Sequence, residues 1–119
     1  VSEPWTDRRP SLAGRLARLG FTDAGRAGTL ILAAERDGGA ELGNDLLEAL
    51  GATADPDLAL DGLLRLLAAA DERGEGAALR AALAAEPGTR ERLPMVLGVS
   101  AALADHLARH PGDWRVLRD

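Results

Sequence analysis

The chain has 119 residues, no cysteine, and a formal net charge of −5, with arginine supplying all 14 basic residues. That length suits one domain around one core; disulfide frameworks, thiolate metal sites and cysteine nucleophiles are excluded, and a nucleic-acid backbone meets a repulsive average charge, so no nucleic-acid partner is expected. Alanine and leucine, both strong helix formers, dominate, and aromatic residues make up only 3 %, so an all-α fold is expected.

Residues 1–10, VSEPWTDRRP, read as a flexible arm with two prolines and no periodicity. They lack the apolar core of a signal peptide, and no run in the chain approaches a membrane span, so a cytoplasmic protein without a membrane partner is expected. Trp5 is either exposed or docked on the bundle. Residues 11–119 read as a single helical domain. Ser11 is the expected N-cap of a first helix with Leu12, Leu16 and Leu19 on one stripe, and Gly20 is its left-handed stop. Thr22 is expected to cap a second helix, with Asp23 complementing the dipole and Ala27, Leu30, Ile31 and Ala34 facing inward. Gly25 and Gly28 either weaken this helix or mark close contact with a neighbour.

Arg36 to Ala40 reads as a turn. A third helix carries Leu42, Leu46, Leu47 and Leu50 and ends at Gly51. Asp55-Pro56-Asp57 opens a fourth, the best defined: Asp55 caps, Pro56 suits the first helical position, and Leu60, Leu63, Leu64 and Leu67 form its stripe. After a polar loop from Arg73 to Gly76, Leu79, Ala82 and Leu83 define a fifth helix, stopped by Glu86-Pro87-Gly88. A sixth runs from Thr89 to Leu97, with Pro94 removing a donor and kinking it, or else becoming regular only near Pro94. Gly98 and Ser100 read as the stop and cap between it and a seventh helix around Leu103 and Leu107. His110-Pro111 breaks the chain before an eighth helix starting at Asp113. The expectation is an irregular bundle of about seven or eight short helices, antiparallel where loops are short.

Several constellations resemble catalytic motifs. Asp55 and Asp57 form an Asp-x-Asp pair of the kind that holds Mg²⁺, but no Gly-Ser turn precedes it and it begins a helix, so capping is the favoured reading. Gly98-Val99-Ser100 with Asp105 lacks the strand and second acid of a phosphate site. His106 and His110, four apart, suit zinc only if a third ligand converges, and Leu107 stands where zinc proteases carry glutamate. A triad from Ser100, His106 and Asp105 fails because neighbours on one helix diverge. Arg15, Arg18 and Arg26, and Arg90 with Arg92, read as solvated faces. No catalytic, cofactor-binding or metal-ligating residue is assigned.

Three stretches fall in the order of one family: RLARLGFTDAGRAG (Arg15 to Gly28), ADPDLALDGLLRLL (Ala54 to Leu67) and ERLPMVLGVSAALADHLARHPGDW (Glu91 to Trp114). The last is the most specific, through the spacing of Leu97-Gly98, Ser100, Leu103, Leu107 and His110-Pro111. The chain thereby resembles the N-terminal helical segment of the bacterial, actinobacterial-type, bifunctional glutamine-synthetase adenylyltransferase/adenylyl-removing enzyme. The resemblance implies a non-catalytic segment supporting the first nucleotidyltransferase domain in nitrogen-assimilation control, the start of a longer enzyme. It implies glutamine synthetase and the PII protein as partners, and ATP with Mg²⁺ only in the full-length enzyme, whose catalytic carboxylates follow Gly-Ser turns beyond this region. Two departures stand out: the sequence stops at Asp119 before any catalytic domain, and Pro94 interrupts a helix that runs on in the family. The alternatives are a stand-alone helical interaction module acting through an exposed Leu/Ala face, and a small metal enzyme built on His106 and His110.

Overall fold

The computed structural model describes residues 9–118; Trp5 and most of the expected arm lie outside them. Seven α-helices follow in order, α1 (Arg9–Leu19), α2 (Ala24–Gly38), α3 (Asn44–Gly51), α4 (Pro56–Glu72), α5 (Gly76–Ala85), α6 (Pro87–Leu97) and α7 (Ala101–Arg109), then a 3₁₀ helix over Pro111–Leu117. No strand occurs among the described residues, so the all-α expectation holds. None of the helices there is long and apolar enough to cross a membrane.

The organising element is α4. Asp55 has extended backbone and its carboxylate accepts the Leu58 N–H, with Pro56 in the first turn. This satisfies a free amide and favours helix over coil. Ala59, Leu60, Gly62, Leu63, Leu66, Leu67 and Ala70 are all buried. That set is wider than the single expected stripe and includes Leu66, while Leu64 is only half-buried. The reason is tertiary: α2, α3, α5, α6, α7 and the 3₁₀ helix all pack on α4. Gly62 lets two neighbours approach, since a Cβ there would lie 3.1 Å from both the Ala104 Cβ and the Leu97 side chain.

The helix pair α1–α2 sits to one side, α1 packing on α2 and α3 but not on α4. Leu12, Leu16, Phe21, Ala27 and Ile31 seal it into the shared core. Gly20 takes a positive φ of 109° and stops α1 as expected. Ser11 lies inside α1 rather than at its cap, and Asp23, not Thr22, caps α2 by accepting the Arg26 N–H. A Cβ on Gly28 would lie 3.8 Å from the Leu12 and Leu16 side chains, whereas one on Gly25 would face open space. The two glycines thus divide the two expectations between them. The turn expected from Arg36 begins later, because α2 runs on to Gly38 and is capped by left-handed Gly39.

α6 starts at Pro87 and continues through Pro94, which is fully buried. It becomes regular well before Pro94, so that alternative is set aside. The α6–α7 junction follows the expected logic with one difference: Gly98 caps α6 in a right-handed conformation, φ −82°. Its small size serves packing instead, since a Cβ would come within 2.9 Å of the Thr53 Cβ. Leu107 and Ala104 bury α7, while Leu103, expected in the core, is 45 % exposed. The last expected helix is 3₁₀ in type and anchored by Trp114, 1 % exposed.

Candidate functional site

The Asp-x-Asp pair is divided between two structural tasks. Asp55 caps its own helix, while Asp57 turns toward α2, its Oδ2 accepting the Thr22 N–H at 2.7 Å. One turn further along α4, Asp61 meets the Arg26 guanidinium at 3.0 Å. Both carboxylates of the pair are therefore committed to free amides at helix starts, where the local dipole favours negative charge.

The Gly98–Ser100 turn is equally occupied. The Ser100 Oγ accepts the Leu103 N–H at 3.1 Å. Asp105 reaches across to Arg65 at 2.7 Å, and His106 Nε2 lies 2.8 Å from an Asp113 carboxylate oxygen. Ser100, Asp105 and His106 thus point to three different partners, and no triad forms. His106 and His110 do come together, ring centroids 4.8 Å apart and tilted by 41°. Asp113 joins them through His106, yet among the described residues no group of three His, Cys, Asp or Glu side chains is placed to hold a metal ion. The His110 backbone closes α7, its N–H donating to the His106 carbonyl.

The arginines serve mainly as connectors. Arg15 bonds Asn44, Arg90 donates to the Leu83 and Ala84 carbonyls, and Arg92 donates to the Leu117 carbonyl. Two further pairs, like those of Arg26, Arg65 and His106, were not foreseen. Arg80 grips Asp71 with two bonds, at 2.7 and 3.0 Å, its guanidinium lying against Gly38 and Gly76. Hydrogen bonding from Arg80 holds the Asp71 carboxyl below its ordinary value, against the opposing pull of burial, and Arg80 is raised in return. Glu86 binds Arg118 through both oxygens and accepts the Thr89 hydroxyl; Arg118 first and Thr89 second depress its carboxyl. Neither pair has helical i, i+4 spacing, so no local pattern announces it. The Trp114 ring is flanked by the Arg115 and Arg118 guanidiniums, 5.0 and 5.5 Å from its centroid.

The other feature the sequence did not announce is a half-open groove between α3 and α6. Ala49, Ala52 and Met95 form its apolar lining, and Asp45, Glu48 and Glu91 its acidic edge. It contains no nucleophile beside a base and no converging ligands.

Comparison with known proteins is decisive. The chain is 54 % identical over 110 residues to a bifunctional glutamine synthetase adenylyltransferase/adenylyl-removing enzyme of Streptomyces avermitilis. The Streptomyces coelicolor relative of the same name is 57 % identical over 113 residues, and each match covers 92 % of this chain. The Mycobacterium avium relative is 40 % identical over 99 % of it.

This chain is homologous to a short segment of that enzyme family.

It spans 11 % of the length of each of these relatives. No family model matches it, and no solved structure gives a significant match.

Proposed function

We propose that the chain is a non-catalytic N-terminal helical segment of a bifunctional adenylyltransferase/adenylyl-removing enzyme, supporting the first nucleotidyltransferase domain. The observation that carries this reading is the 54–57 % identity to the Streptomyces enzymes over 92 % of the chain. The occupied carboxylates of Asp55, Asp57, Asp105 and Asp113 support it from the other side, since each polar group in a motif-like position has a structural partner. In this reading the enzyme acts in the cytoplasm on glutamine synthetase and answers to PII, and its ATP and Mg²⁺ bind elsewhere in the longer polypeptide. The segment's contribution is a rigid, leucine-packed support, because rigid elements position a neighbouring site more accurately than loops do.

The test is AMP transfer to, and AMP removal from, purified glutamine synthetase. The 119-residue chain is expected to be inactive in both directions, and the longer polypeptide that carries it active in both. Turnover by the isolated chain would overturn the proposal.

A further inference from the structure

The α3–α6 groove combines two chemistries. Its lining includes Ala49, Ala52 and Met95, and Met95 is 59 % exposed. Three of its lining residues are acidic, against one arginine. That arginine, Arg90, directs its guanidinium to the Leu83 and Ala84 carbonyls. Among the described residues no cation pairs with Asp45 or Glu91, and Glu48 meets only the outer reach of Arg15, 3.9 Å away. An apolar strip edged by unneutralised carboxylates is complementary to a helix with an apolar stripe flanked by arginines.

We propose that this groove seats a basic amphipathic helix from another part of the same polypeptide. The inference rests on the reading of the chain as one segment of a longer enzyme, and the relatives supply the reason for an intramolecular occupant: 11 % of their length corresponds to this chain, so most of each lies outside it. A segment tethered to its binding surface needs little intrinsic affinity, because tethering raises its effective concentration. A modest groove with one exposed methionine beside its alanines therefore suffices.

The chain has no cysteine of its own, so the M95C variant gives a site-specific probe of the groove. Its maleimide labelling rate, read by peptide mass spectrometry and normalised to the urea-unfolded protein, is compared in the 119-residue chain and in the longer polypeptide. Labelling is expected to be about tenfold slower in the longer polypeptide. Reversing the edge with Glu48→Arg and Glu91→Arg together is expected to restore most of the fast rate there. Equal rates in the two proteins would overturn the proposal. So would protection in the 119-residue chain alone that deepens with concentration, which would assign the groove to a second copy. Protection that survives the double charge reversal would overturn the basic character of the occupant. AMP transfer by the same longer polypeptide is measured in parallel: an active enzyme with an unprotected Met95→Cys site removes the docking proposal alone, whereas an inactive one removes the parent assignment.

Discussion

Asp71 and Arg80 show how much one side chain depends on a residue that has none. A Cβ on Gly76 would collide with the Asp71 carboxylate and come within 2.7 Å of an Arg80 nitrogen. Gly76→Ala is therefore expected to displace the pair and destabilise the chain by about 1 kcal/mol, read from the urea midpoint. The pair also makes stability depend on pH. Its carboxyl is held below the ordinary 3.8 in the folded state, so its contribution is fully present above that value and is lost as pH falls through the depressed one. Glu86, depressed from an ordinary 4.5 by Arg118 and Thr89, acts in the same direction. Asp71→Asn is expected to flatten the loss of stability between about pH 5 and pH 2, by under about 1 kcal/mol because the pair is solvent-screened. An unchanged pH profile would remove the pair from the acid response. These partners were invisible in the sequence because they lie nine and thirty-two residues apart and meet only once the helices are docked.

Helix boundaries were more legible, since capping is local chemistry. Asp55-Pro56 and Ser100 read correctly because a side-chain oxygen there reaches an amide three residues on. Ser100→Ala is expected to cost about 1 kcal/mol, seen as a lower melting temperature with the fold retained. Thr22 misled because Asp23 beside it is an equally good cap, and both of their backbone amides are held by Asp57 from another helix. The glycines divide the same way. Gly25 faces open space, so Gly25→Ala is expected to raise stability by up to about 1 kcal/mol. Gly51 has the Leu19 carbonyl oxygen 2.7 Å from where its Cβ would stand, so Gly51→Ala is expected to cost about 1–3 kcal/mol through forced separation of α1 and α3. Chemical denaturation of the two variants side by side checks both signs. In the sequence Gly25 is a glycine within a helical pattern and Gly51 a helix end, and neither reading shows which backbone comes near.

Across the molecule, stability converges on α4, the helix that most of the others share. Leu63 is fully buried in it, and Leu63→Ala is expected to cost about 2–5 kcal/mol, a large part of the margin of a domain this size. A loss below 1 kcal/mol would place the core elsewhere. The amino-acid sequence by itself determined the helical class, the order of the elements and most of their ends, because propensity, capping and periodicity act over a few residues. It also carried the family relationship, which extends over nearly the whole chain. Only the tertiary structure decided which leucines are core, burying Leu66 and exposing Leu103. It also decided that Asp57, Asp105 and His106 are tied to separate partners and that an acidic, apolar-floored groove opens between α3 and α6. Those outcomes depend on which helix faces which, and that is set by the packing of the whole chain rather than by any stretch of it.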